Sequence, residues 1–68
     1  MYKFNAAEVK EKIRRAGLSL RKLAKIAGVD FKTAQKASTG GKVNEGSALR
    51  ILDALGDDLS LTEIKKGD

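Results

Sequence analysis

Residues 19–39 carry two short apolar repeats of helical spacing with only a few residues between them, and no other feature constrains the fold as much. Ser19 and Asp30 precede the two repeats, and both are residue types that cap the first turn of a helix. Gly28 follows the first repeat, where its left-handed conformation would end a helix. The first repeat has apolar residues at i, i+3, i+4 and i+7: Leu20, Leu23, Ala24 and Ala27. The segment therefore predicts two helices joined by a tight turn, a helix-turn-helix.

The second helix of this pair, predicted over about residues 31–38, has two chemically different sides. Ala34 and Ala37 are its only obvious inward residues, so it can lie close to the preceding helix but buries little apolar surface. The opposite side carries longer or polar side chains: Lys32, Gln35, Lys36 and Thr39. We therefore expect an outward polar side on a helix that its neighbours must hold in place.

A further helix is predicted before this pair, from about Ala6 to Ala16. Asn5 and Glu8 have the spacing of a capping box, and Phe4 can pack on Val9 just inside the helix. The residues expected to face the core from this helix are Val9, Ile13 and Ala16.

The C-terminal part of the chain predicts a loop over residues 40–44 and two more helices. The fourth helix should begin at Asn44 or Glu45 and end at Gly56. Its expected core residues are Ala48, Ile51, Leu52 and Leu55. A fifth helix over about Ser60 to Lys66 should add Leu59, Leu61 and Ile64 to the core. The predicted fold class is therefore all-α: a compact bundle of about five short helices in one domain of residues 1–68, with a frayed tail from about residue 66.

The composition excludes several kinds of chemistry. The 68 residues contain no cysteine and no histidine, which excludes disulfides, thiolate nucleophiles and histidine-based catalysis. Without a phosphate-binding loop, a metal-ligand spacing or a recognisable carboxylate pair, we expect no enzyme, cofactor, metal ion or small-molecule substrate. The apolar runs are short and no signal-like segment opens the chain, so a soluble cytoplasmic protein without membrane contact is expected.

The charge is divided unevenly along the chain. Residues 1–42 hold eleven Lys and Arg against three acids, a balance of +8, whereas residues 43–68 hold three Lys and Arg against six acids, a balance of −3. A basic field of this kind attracts a polyanion and gives salt-sensitive binding. The alternative is that these cations only solvate small helices. Because the basic half contains the helix-turn-helix, nucleic acid is the expected partner.

The segment GLSLRKLAKIAGVDFKTAQKASTG resembles the DNA-binding motif of the phage Cro and CI repressors, the XRE-type regulators, and ALRILDALG resembles the helix that follows it in that family. The resemblance covers roughly residues 9–64. It implies a lambda-repressor-like domain and a sequence-specific, Cro-like transcription regulator of a phage or mobile-element genetic switch. Such a regulator inserts its recognition helix into the major groove of an operator, in a bacterial cytoplasm where it associates with the nucleoid. With a single module, useful affinity would require a homodimer or a partner on neighbouring DNA.

The candidate DNA contacts lie within residues 21–42. The base-contact candidates are Phe31, Lys32, Gln35, Lys36 and Thr39, since lysine can donate to guanine and glutamine can bond to adenine. The backbone candidates are Arg21, Lys22, Thr33 and Lys42, of which the first two and Lys42 resemble backbone-contact positions of the family. For the two threonines, a purely local backbone contact is the alternative.

Two positions depart from the family's pattern. Leu20 replaces a common phosphate-binding Gln, and Phe31 occupies a position that usually carries a polar base reader. The ring could press on a thymine methyl group, pack inward, or anchor another protein. If exposed, it could form an apolar patch with Leu20. The alternative function is therefore an anti-repressor or modulator that binds a CI-type repressor and blocks or alters its DNA binding.

Overall fold

Helices and a small sheet both contribute to the part of the chain, residues 1–64, that the computed structural model describes. In chain order the elements are β1 (Tyr2–Phe4), α1 (Ala6–Ala16), α2 (Leu20–Ala27), α3 (Phe31–Thr39), β2 (Lys42–Val43), α4 (Glu45–Leu55) and β3 (Leu61–Glu63). The protein is thus mostly helical, with four helices and a three-stranded sheet over these residues. The prediction of an all-α bundle of five helices is wrong in that respect.

The helices begin at the polar caps that the sequence indicates. In each case the side chain accepts a hydrogen bond from the backbone N–H three residues later; the caps are Asn5, Ser19, Asp30 and Asn44. Gly28 ends α2 in the left-handed conformation, with φ 74°, and its N–H donates to the Ala24 carbonyl. The predicted pair of helices over residues 19–39 is therefore confirmed, with α3 reaching Thr39, one residue beyond its expected end.

Glu8 differs from its prediction as the reciprocal partner of Asn5. Its two carboxylate oxygens instead accept hydrogen bonds from Ser60, one from the backbone N–H at 2.7 Å and one from the hydroxyl at 3.1 Å. The Glu8 side chain therefore connects α1 to the segment just before β3. Ser60, 52 residues away in sequence, gives the carboxylate two hydrogen-bond donors, whereas the capping box would give it one, the backbone N–H of Asn5.

The sheet has the strand order β2-β1-β3, and both pairs are antiparallel. Residues 42 and 43, predicted as loop, form β2, and the predicted helix at Ser60 is replaced by β3. The reason is that β1, which was not predicted, offers backbone hydrogen-bond partners to both segments. The run Leu61–Glu63 is so short that its apolar residue can be buried in a strand as well as in a helix. The remainder of the predicted fifth helix, and the predicted frayed tail, lie outside the described residues.

The core is small and contains many alanines. Its largest fully buried side chains are Val9, Leu23 and Ile51, and the other buried apolar residues are Phe4, Ala24, Ala27, Ala34, Ala37, Val43, Ala48 and Leu59. Ile13, Leu52, Leu55 and Leu61 pack against this cluster while partly exposed. Ala16, predicted to be buried, is exposed because it lies in the last turn of α1, where the chain turns away at Gly17.

Candidate nucleic-acid interface

Small side chains hold α3 from behind. Ala34 and Ala37 are completely buried, and α3 packs against both α2 and α1 on this side. Ser38 is also buried, and its hydroxyl donates a hydrogen bond to the Gln35 carbonyl at 2.8 Å. Because these side chains are short, the backbone of α3 lies close to α2, and a larger residue would push the helices apart.

The opposite side of α3 is exposed. Lys32, Gln35 and Lys36 all lie in solvent, and none of the ion pairs among residues 1–64 includes either lysine. Their ammonium groups are therefore not held by a salt bridge within the described residues, although Lys36 is close enough to Asp30 to help lower the pKa of that carboxyl. A helix with buried alanines on one side and free donors on the other has the shape and chemistry needed to enter a groove.

The two threonines of α3 are engaged locally. The Thr39 hydroxyl donates to the carbonyls of Gln35, at 3.1 Å, or Lys36, at 3.3 Å. Thr33 is half-buried beside the cap residue Asp30, to which its backbone N–H donates at 3.1 Å. Hydrogen bonds from the Thr33 hydroxyl and N–H lower the pKa of Asp30, so this carboxylate is ionised at neutral pH. The Thr39 hydroxyl thus has the local backbone contact that was the alternative to a DNA contact, whereas the Thr33 hydroxyl bonds to the Asp30 side chain.

Lys42 is held next to the end of α3. The Gly41 N–H donates to the Lys36 carbonyl at 2.7 Å, and a Cβ placed on residue 41 would lie only 3.2 Å from the Lys36 Cβ. The absence of a side chain at Gly41 therefore allows β2 to start directly against α3. Lys42 follows Gly41 and is exposed on β2, so it lies just beyond the C-terminal end of α3.

Phe31 lies at the junction of α2 and α3 and is 40% exposed. The guanidinium carbon of Arg21 lies 5.2 Å from the centre of its ring, a cation–π distance. Arg21 and its neighbour Lys22 are both exposed in the first turn of α2, whereas Leu20 is half-buried. The Phe31 ring is therefore partly exposed to solvent, with the Arg21 guanidinium over one of its faces.

Arg50 is a contributor that the sequence analysis did not single out. Its Nη1 donates to the carbonyl of Gly28 at 2.9 Å and so connects α4 to the turn between α2 and α3. The bond fixes the position of the turn, and through it the angle at which α3 leaves α2. The only sequence signal is that Arg50 is a cation within an otherwise acidic stretch, residues 43–64.

Neither a comparison with models of known protein families nor one with curated proteins finds a match for the chain. Within residues 1–64, no helix has the length and apolar character that crossing a membrane requires. In the same range, no three acidic side chains come together in a way that could hold a metal ion.

Proposed function

We propose that this protein is a sequence-specific DNA-binding transcription regulator that places α3 in the major groove. The observation that carries the proposal is that α3 has two different sides: Ala34 and Ala37 are completely buried, while Lys32, Gln35 and Lys36 are exposed and neither lysine forms an ion pair within residues 1–64. An α-helix with its side chains is about 10–12 Å across, and the major groove is about 12 Å wide. The two therefore match in size.

The exposed side of α3 has the chemistry of base recognition. A lysine ammonium donates to O6 or N7 of guanine, and a glutamine amide bonds bidentately to adenine, each contact contributing about 1–3 kcal/mol of discrimination. Lys32 and Gln35 are three positions apart, so they are neighbours on one side of α3 and both can reach into the groove at once. Lys36 extends the row toward Lys42. These residues are the proposed base readers.

Contacts to the DNA backbone would come from the two ends of this unit. Arg21 and Lys22 at the start of α2, and Lys42 on β2, are exposed cations at opposite ends of the exposed side of α3. They would set the register on the duplex without reading sequence. The resemblance to Cro-type repressors supports a lambda-repressor-like arrangement that occupies an operator in a bacterial cytoplasm, as a homodimer on two half-sites.

The proposal is tested on a duplex selected from a random pool by the purified protein. Fluorescence anisotropy should then give a Kd for that duplex well below the Kd for an unrelated one. Lys32→Ala, Gln35→Ala and Lys36→Ala should each raise the Kd for the selected duplex by about 5- to 150-fold, the equivalent of 1–3 kcal/mol, and reduce the discrimination. Lys25→Ala, in the last turn of α2, is the matched control. Absence of any selected sequence would refute the proposal.

A second function, modulation of a partner repressor, is favoured by one observation. Phe31 is 40% exposed and carries Arg21 over its ring, and aromatic and arginine side chains are enriched in the energetic centres of protein interfaces. In this case Phe31→Ala would abolish binding to a CI-type repressor while Lys32→Ala would not. A gel shift with and without that repressor distinguishes the two functions, because a modulator would change the complex only in the mixture.

A further inference from the structure

The outer face of the sheet carries a row of exposed residues that the proposed function has only partly used. Phe4 and Val43 are buried on the inner face, so the alternation along each strand places Lys3 and Lys42 on the outer face. The register pairs Lys3 with Lys42 on one side and with Thr62 on the other. All three are exposed. The row therefore runs across the whole width of the sheet, with two cations side by side.

Two lysines in direct cross-strand register are unfavourable for the isolated protein. Residues opposite each other in an antiparallel pair have Cβ atoms about 4.5–5.5 Å apart, and like charges in this position destabilise the sheet. None of the ion pairs among residues 1–64 involves Lys3 or Lys42. A pair that costs stability and has no intramolecular partner in this range is what a surface for an external anion requires.

The nearest acid on the sheet is directed elsewhere. Glu63 is opposite Tyr2 in the register, and its carboxylate accepts a hydrogen bond from the Tyr2 hydroxyl at 3.3 Å. Glu45 is the alternative acceptor of the same hydroxyl proton, at 3.1 Å. By the alternation along β1 and β3, Tyr2 and Glu63 lie on the same face of the sheet as the buried Phe4, opposite to Lys3. No acidic side chain of the three strands therefore lies on the outer face beside Lys3 and Lys42.

The row is continuous with the exposed side of α3. Gly41 packs on Lys36, Lys42 follows it in the chain, and Lys3 lies opposite Lys42. Three cations from three separate elements therefore follow one another from the end of α3 onto the sheet. A duplex presents about one negative charge per 1.7 Å of its axis, so it can contact several neighbouring cations at once.

We propose that Lys3 and Lys42 together form a clamp on the phosphate backbone of the duplex that α3 enters, with the Thr62 hydroxyl as a neutral donor beside them. The proposal rests on the proposed function. It adds Lys3, which lies 39 positions from Lys42 in the sequence and joins the DNA surface only because β1 pairs with β2. The clamp contributes affinity and orientation, and it contributes no base discrimination.

The test measures the salt dependence of binding to the selected duplex for Lys3→Gln, Lys42→Gln and the double variant. Each lost phosphate contact should make the slope of log K against log[salt] shallower by about 0.9. Between 50 mM and 200 mM salt, the loss of affinity should therefore be about 3.5-fold smaller for each single variant and about 12-fold smaller for the double variant. The ratio of affinities for selected and unrelated duplexes should stay unchanged.

Lys25→Gln is the matched control, because it removes the same charge from the last turn of α2. An equal change of slope in this control would show an effect of net charge alone and would overturn the clamp. Thermal unfolding shows that the variants fold, and Lys3→Gln should unfold no lower than the wild type at low salt, since it removes a like-charge pair.

The outcomes separate the two proposals. If the wild-type protein binds no duplex at 50 mM salt, the proposed function fails and the clamp fails with it. If the wild type binds and Lys3→Gln and Lys42→Gln keep its slope, only the clamp is refuted. Unchanged DNA binding together with weakened binding to a CI-type repressor would assign the face to an acidic protein surface and would also refute the clamp.

Discussion

Replacing Ala34 by Leu tests whether α3 is held as closely as its burial indicates. Ala34 is 0% exposed and lies on the side of α3 that packs against α2 and α1. Leucine adds three carbon atoms at a position without space for them, and overpacking of this kind costs about 1–3 kcal/mol. The helix propensities of Ala and Leu are similar, so the cost would come from packing and not from the helix itself.

The magnitude is large for a chain of 68 residues. At roughly 0.05–0.15 kcal/mol per residue, its total stability is about 3–10 kcal/mol. A loss of 1 kcal/mol shifts the Tm of a domain of this size by about 4–8 °C. Ala34→Leu should therefore lower the Tm by about 4 °C at the least and by more than 20 °C at the upper end of the range.

Thermal unfolding followed by circular dichroism measures this shift, and urea unfolding gives the free energy directly. Gln35→Leu is the matched control, because it adds a similar apolar side chain at the neighbouring, exposed position of α3 and should leave the Tm nearly unchanged. A Tm of Ala34→Leu within about 2 °C of the wild type would refute the close packing of α3. The proposed function would then lose the observation that carries it.

Three further predictions concern Arg50, the Lys12–Asp58 ion pair and Phe31. Arg50→Met removes the hydrogen bond to the Gly28 carbonyl and should lower the free energy of unfolding by roughly 1 kcal/mol, as measured by urea unfolding. Because that bond connects α4 to the turn before α3, the variant should also raise the Kd for the selected duplex, as measured by fluorescence anisotropy. A hydrogen-bonded ion pair with Lys12, at 2.9 Å, lowers the pKa of Asp58. The ion pair therefore stabilises the fold above the ordinary carboxyl pKa, and this stabilisation is lost as the pH falls through the lowered pKa of Asp58. The Tm difference between wild type and Asp58→Asn should be present at pH 6 and vanish near pH 2. Phe31→Ala should leave the Tm within a few degrees of the wild type, because the ring is 40% exposed, and a collapse of the fold would contradict its position at the surface.

The central pair of helices could be predicted from the sequence because all of its determinants are local. Ser19, Gly28 and Asp30 act on the backbone within a few residues of themselves, and the apolar spacing of α2 points to a single buried side. The exposure of Lys32 and Lys36 follows from the same periodicity. For these elements the chemistry of one helical turn is sufficient.

The sheet could not be predicted in this way because its determinants are distant. Tyr2–Phe4 is too short to be recognised alone, and its partners lie about 40 and 60 residues further along the chain. Leu61 has the same apolar character in a strand or a short helix, so only the presence of β1 decides between them. The position of Lys3 beside Lys42 depends on this register and was therefore also missed.

The side-chain partners at the junctions were missed for a related reason. The bond from Arg50 to the Gly28 carbonyl and the contact between Arg21 and Phe31 depend on how two helices meet. The sequence left three roles open for Phe31: contact with a thymine methyl group, inward packing, or an anchor for another protein. The structure shows the ring partly exposed, with Arg21 over it. Such contacts are consequences of packing, and local propensities do not specify them.

The distribution of ion pairs indicates which side of the protein a polyanion would meet. The four cations of α1 are offset by three acids: Glu11 bonds Arg14 and Arg15, Asp58 bonds Lys12, and Glu8 lies in the same helix. Arg14 and Arg15 lower the pKa of Glu11, so this acid keeps its charge at neutral pH. The net charge around α1 is therefore only +1.

Residues 20–43 are different, since they hold six cations and a single acid, Asp30, which caps α3. Their net charge is +5, and Lys3 raises it to +6 where β1 joins β2. The charge excess of the basic half of the sequence thus lies mainly with α2, α3 and β2 and much less with α1. If the protein binds DNA as proposed, a duplex would be drawn by the long-range field to the side that presents α3, where the proposed base readers lie.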